Sequence, residues 1–245
     1  MITDSSTVLW KELRLVLWEK GSLVRGLRSV ILALMIFGIV LPWQFGRELI
    51  DTPAALAIWI WVPCLMATSV VADAFAGERE RHTLETLLSM PLSDAGIFLG
   101  KFLAAVLYGW AFTVIAALVA AAAVNVLHPE AAPIFYAPEA FAGMIVFSLL
   151  VTGLFVSAGI LLALRTPSVR QATQAVSILT LALVLVPAGL SQLAPVEWID
   201  AILDGVERSG PVATASIAAG FLALIDGAIL AVGVGRFERA RLVAG

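Results

Sequence analysis

Long apolar runs broken by short charged stretches dominate this chain. Six such runs stand out, at about 29–46, 54–73, 98–126, 139–163, 172–194 and 212–235. Flanking charges mark several of their ends: Arg28 and Arg47 bound the first, Arg208 and Arg236 the last. Crossing bilayer hydrocarbon takes roughly 20 helical residues, and each run comes close to that or exceeds it. In lipid every backbone N–H and C=O must find a partner within the protein, so these runs are expected to be helices. None shows the short polar–apolar alternation of a membrane β-strand. The expected fold is all-α: a polytopic membrane protein with six transmembrane helices.

Two further segments have helical spacing but a mixed character. Across residues 5–25, Leu9, Leu13, Val16, Leu17 and Val24 recur at helical intervals. Lys11, Glu12, Glu19 and Lys20 fall mostly elsewhere on the wheel, and Trp10 and Trp18 suit a headgroup zone. This pattern predicts an amphipathic interfacial helix that lies on the membrane. After the second run, residues 78–89 read as a short helix stopped by Pro91. Leu84, Leu87 and Leu88 form an apolar stripe, while Glu78, Arg81, His82 and Glu85 form a charged face with pairs at helical distance. Ser93 or Asp94 is placed to cap the helix that follows.

Composition agrees with the membrane reading. Of the 245 residues, 61% are hydrophobic and 13% charged, and the mean hydropathy is +1.00. Soluble domains are about a quarter charged. The first apolar run begins near residue 29, late for a cleaved leader, so no signal peptide is expected. The single cysteine, Cys64, lies in an apolar run and is expected to be a small buried side chain.

The charges also predict an orientation. Of 15 lysines and arginines, all but Arg47 and Arg208 fall on one side of a six-span arrangement. The positive-inside rule places that side, with both termini, in the cytoplasm. The loops on the other side are acidic or neutral, and 195–211, with Trp198 and Ile199, is expected to form a short helix at the outer interface. No basic face interleaved with aromatics is present, so nucleic acid is not an expected partner.

Polar groups within the runs are few. Asp226 sits near the middle of the last run, where a central aspartate costs about 2.5–3.5 kcal/mol on insertion scales. It reads either as a pathway-lining carboxylate or as a packing residue facing, for example, Ser177 or Thr180. Gly227, Ala231 and Gly235 predict close helix packing beside it. Pro42, with Gln44, and Pro63 are expected to kink the first two helices.

An intramembrane enzyme would need a nucleophile–base pair or a metal cluster. The two histidines, His82 and His128, fall on opposite sides of the membrane, and no Gly-x-Ser-x-Gly occurs. No enzymatic activity and no metal site are expected. No Gly-x-x-x-x-Gly-Lys-Ser/Thr phosphate loop occurs either. A secondary transporter would account for Asp226 but not for the charged 78–89 segment, and no internal repeat supports one.

The stretch Asp73-Ala-Phe-Ala-Gly-Glu-Arg-Glu-Arg-His-Thr-Leu-Glu-Thr-Leu-Leu-Ser-Met-Pro-Leu-Ser, running on to Leu99-Gly-Lys101, resembles the signature of type-2 ABC-transporter permeases. His82 stands where many members carry glycine. The resemblance implies that residues 1–245 form one exporter transmembrane domain in the plasma (inner) membrane. It also implies that 78–89 is a coupling helix that docks on a separate ABC ATP-binding subunit. Glu78, Arg79, Glu80, Arg81, Thr83 and Glu85 would be the docking residues, and Leu84, Leu87 and Leu88 would anchor the helix to the spans. The 5–25 helix would match the family's connecting helix. ATP and Mg would sit on the partner, with no cofactor on this chain. A second permease copy, identical or sister, would complete the pathway among membrane lipids. The membrane subunit of the cytochrome-c biogenesis haem exporter is a related alternative with a similar loop.

Overall fold

A computed structural model describes residues 2–17, 23–82, 92–129, 132–193, 195, 197, 204–205 and 208–237. These residues form helices joined by short turns, with no strand among them. Among them are six helices long and apolar enough to cross a bilayer, as the apolar runs predict. The all-α polytopic fold is therefore observed.

An N-terminal helix, Ile2–Leu17, comes first. Span one is assembled from Leu23–Met35, a π-helical stretch Ile36–Val40 and Leu41–Phe45. The π turn ends two residues before Pro42, whose ring cannot donate an amide proton, and such local adjustments absorb a membrane proline. Span two is Pro53–Glu80, span three Asp94–Leu127, span four Pro138–Ala163, span five Val169–Leu193 and span six Pro211–Arg236.

Three boundaries differ from the sequence reading. The helix that opens span one begins at Leu23, ahead of the expected 29, and so takes in residues 23–25 of the expected 5–25 helix; residues 5–17 lie in the N-terminal helix, and 18–22 lie outside the described residues. Span two runs past residue 73 through the charged Gly77-Glu78-Arg79-Glu80, whose side chains find ion-pair and backbone partners on neighbouring elements. Residues 78–80 thus end span two and do not begin a separate helix. The rest of the expected 78–89 helix, beyond the turn at 81–82, lies outside the described residues, as does most of 195–211.

Spans two, three and four form the interior. Their apolar windows are 56%, 50% and 50% buried, against 11%, 17% and 6% for spans one, five and six. Phe75, Phe98, Phe102, Phe155 and Ile160 fill the half nearer the N-terminal helix. Leu49, Trp59, Phe112, Tyr136 and Met144 fill the other. Cys64 is fully buried among them, as expected. Pro63 stays within an unbroken helix, and span three approaches it closely at Gly109, where a Cβ would lie 2.4 Å from the Pro63 carbonyl oxygen. At the far end the Asn125 amide clasps the backbone of Ile134 through two bonds of 2.8 Å, fastening the loop before span four.

The small-residue stripe of span six does not pack on any described residue. Among the described residues nothing stands within 4 Å of a Cβ built on Gly227 or Gly235, and Ala231 is exposed. The close contact is made instead by Gly233, whose missing Cβ admits the ring of Phe98.

Candidate functional site: the charged end of span two

Span two ends in a turn: the Arg81 amide donates to Gly77 O at 3.0 Å and the His82 amide to Arg79 O at 3.1 Å. His82 takes φ 54°, the left-handed conformation in which helices commonly stop on glycine. That geometry explains why a glycine is at home in this place.

The N-terminal helix lies against the start of span three. Its inward stripe is Ser5, Val8 and Glu12, one residue per turn. Gly96 and Gly100 of span three let the backbones approach. A Cβ on Gly100 would lie 2.5 Å from Val8 Cβ, and one on Gly96 would lie 2.8 Å from Asp4 Cβ. Ser93 caps span three by accepting from the Gly96 amide at 3.2 Å. Its own hydroxyl and amide donate to Asp4 Oδ2 at 2.8 and 3.2 Å. These two bonds favour the ionised form and hold the Asp4 carboxyl below its usual range.

Four charges meet where this helix crosses the end of span two. Lys101 Nζ lies 2.8 Å from Glu12 Oε1 and 3.1 Å from Glu78 Oε1. Lys11 Nζ lies 2.8 Å from Glu78 Oε1 and 3.6 Å from Glu12 Oε1. The Lys101 side chain is 1% exposed and that of Glu78 5%, and Lys101 Nζ also stands 5.1 Å from the centre of the Phe75 ring. Burying a charge is tolerable only when it is paired and hydrogen-bonded, and two of each sign achieve that here. Burial disfavours charged Lys11, but its bond to Glu78 and the nearby charges of Glu78 and Glu12 outweigh this and raise its pKa.

The next two residues grip the turn between spans four and five. Arg79 donates to the Thr166 carbonyl and, at 3.3 Å, to the Leu164 carbonyl. Glu80 Oε1 accepts from the Val169 amide at 2.9 Å. A helix C-terminus exposes unpaired carbonyls and partial negative charge, and an N-terminus exposes unpaired amides and partial positive charge. Cationic Arg79 therefore suits the end of span four, and anionic Glu80 suits the start of span five. Arg81, about half-exposed, pairs with Asp73 Oδ2 at 2.8 Å.

The expected docking residues thus divide. Glu78 is buried, Arg79 half-buried, and both face neighbouring elements of the chain; Glu80 and Arg81 are exposed. Thr83 and Glu85, with the expected anchors Leu84, Leu87 and Leu88, lie outside the described residues. Sequence reasoning missed Lys11, Glu12 and Lys101 as members of the cluster. The available signal was opposite charge on two helices whose apolar faces must pack together.

Asp226 is remote from this site. Its Oδ1 accepts from the Ser157 hydroxyl of span four at 3.1 Å, and its other oxygen lies over the bare backbone of Gly153. The expected partner Thr180 instead bonds Val176 O at 2.9 Å and stands 3.4 Å from the Thr68 hydroxyl of span two. Asp226 faces span four because span six packs against spans four and three, whereas span five packs against spans two and four. Among the described residues no three His, Cys, Asp or Glu side chains converge as a metal ion would require.

No curated protein matches the chain. A family model described as ABC-2 family transporter protein matches residues 45–242, a stretch that takes in spans two to six, the charged end of span two and Asp226. With that match covering most of its length, the chain belongs to the ABC-2 transporter family and is a membrane subunit of an ABC transporter.

Proposed function

We propose that this chain is the permease subunit of an ATP-driven exporter in the plasma (inner) membrane, with both termini in the cytoplasm. ATP and Mg are held by a separate ATP-binding subunit, and a second permease copy, identical or sister, completes the pathway. The segment that leaves span two at Arg81 and returns at Ser93 is the docking element, with Arg81, Thr83 and Glu85 as its polar contacts and Leu84, Leu87 and Leu88 as its anchors. Glu80 sits at its entrance. Glu78 and Arg79 serve the same coupling from within, because their side chains face this chain's own helices.

One observation carries this reading: the exit of span two is tied by ion pairs and charge-assisted hydrogen bonds to the N-terminal helix and to spans three, four and five. A partner pulling there would move most of the bundle. The open groove lined by Thr7, Trp10, Lys11, Arg14 and Leu15 gives the same partner a second surface, consistent with the connecting-helix likeness of the N-terminal segment.

The test is co-expression with a candidate ATP-binding subunit, sought first in the coding region next to that of this chain. The subunit is expected to co-purify, and Arg81→Glu combined with Glu85→Arg is expected to release it while the permease stays folded. Undiminished co-purification of the charge-reversed variant would overturn the docking assignment. Transport in liposomes is expected to require the subunit and ATP; a response to an ion gradient alone would favour a secondary transporter acting through Asp226.

A further inference from the structure

We propose that Glu78, Arg79 and Glu80 are positioning residues that divide the motion of the span-two terminus between two separate groups of helices. This rests on the docking role assigned above to the segment beginning at Arg81. Successive residues of an α-helix point about 100° apart, so three neighbours on one turn reach three directions. Glu78 reaches Lys11 of the N-terminal helix and Lys101 of span three. Arg79 reaches the carbonyls at the end of span four. Glu80 reaches the first amide of span five.

Among the described residues these contacts form two routes that share no named partner. The first, through Glu78, holds the N-terminal helix and span three together by a buried cluster of ion pairs. The second, through Arg79 and Glu80, holds the turn between spans four and five by both of its helix poles. Charge-assisted bonds of this kind are short and directional, so each route follows a displacement of the helix end closely. Span two is itself packed in the interior, and a close-packed helix transmits such a displacement along its length. The adjacent signs matter as well. Exchanging Arg79 and Glu80 would set an anion against carbonyls and a cation against an amide.

Amide hydrogen exchange on the purified chain in lipid nanodiscs, without any partner, tests the routes directly. Arg79→Ala with Glu80→Gln is expected to speed exchange across 165–172 by about tenfold, as loss of hydrogen bonds to charged groups implies. Exchange at 94–101 and in the N-terminal helix should stay unchanged. Glu78→Gln is expected to do the reverse. Arg79→Lys, which keeps the charge but not the forked donor, is the gentler variant should the double change fold poorly. Both regions responding to every variant, or neither responding, would overturn the division into two routes.

A second arm uses the complex with the ATP-binding subunit. Adding a non-hydrolysable ATP analogue is expected to change protection in both regions of the wild-type chain. In the Arg79→Ala, Glu80→Gln chain, with the subunit still bound, it should change only the region at 94–101. Loss of both responses there would overturn the proposal. Failure to capture any ATP-binding subunit would sink the docking reading alone, because the first arm decides the routes without it.

Discussion

Asp226 occupies space that exists only because residue 153 has no side chain: a Cβ built on Gly153 would stand 2.2 Å from Asp226 Oδ2. Ser157, one turn further along span four, donates to the other carboxyl oxygen at 3.1 Å. Glycine and aspartate are therefore matched across spans four and six. Gly153→Ala is expected to push span six outward and lower stability by about 1–3 kcal/mol, the usual range for overpacking. Asp226→Ala should restore most of that loss in the double variant, because it vacates the space. Thermal midpoints in detergent for the four proteins of the cycle measure the coupling, and purely additive effects would show that the two residues do not meet. Asp226→Asn keeps the shape and an acceptor for Ser157, so its stability should stay near wild type. Transport lost from that folded variant would assign the carboxylate a functional role.

The cluster of Lys11, Glu12, Glu78 and Lys101 makes an asymmetric prediction. Lys101→Met removes the most buried cation and leaves Glu12 and Glu78 facing one another with only Lys11 between them. Breaking a buried pair by deleting one partner costs about 3–5 kcal/mol. Adding Glu12→Gln to Lys101→Met removes the stranded charge and should recover part of the loss. Chemical denaturation of the solubilised protein measures both, and a double variant weaker than the sum of the two singles would contradict the shared cluster.

How much of this was legible in the sequence follows from the physics of each feature. The six spans were readable because a membrane helix needs length and apolarity, both properties of a continuous stretch. The Ser93 cap was readable because a cap acts within its own turn. Span two runs on past the point where its charges predict an end, because Glu78, Arg79 and Glu80 have partners on other elements. Such partners are set by tertiary packing, which hydrophobic periodicity does not encode. For the same reason the sequence shows a carboxylate in an apolar run at Asp226 but not its neighbours. Ser157 and Gly153 became its partners only once span six was packed on span four.

Ser93 joins two elements, and its loss should be felt in both. Ser93→Ala removes the cap of span three and a partner of Asp4, an expected loss of about 1–2 kcal/mol. The Asp4 contact adds a pH dependence. A carboxyl held below its ordinary value of 3.8 stabilises the fold above that pH and loses its contribution as pH falls through the lowered value. The N-terminal helix should therefore be equally well docked at neutral and mildly acid pH and loosen only below about pH 4. A fluorophore on Trp10→Cys, in a Cys64→Ala background, reports the release. Asp4→Asn should weaken docking at neutral pH and abolish this acid step; an unchanged step in that variant would show that Asp4 does not govern the docking.

His82 holds a backbone conformation that most side chains resist, with φ at 54°. The left-handed region costs an L-residue roughly 1–2 kcal/mol, least for residues such as Asn or His and most for β-branched ones. His82→Gly is expected to relieve this strain and leave stability equal or higher, since glycine's greater freedom when unfolded offsets part of the gain. His82→Val should destabilise by about 1–2 kcal/mol, because its branched Cβ crowds the backbone in that region. Capture of the ATP-binding subunit gives a second readout, since the turn sets the direction in which the chain leaves Glu80. A valine variant as stable as the glycine variant, with undiminished capture, would show that span two does not end in a left-handed turn.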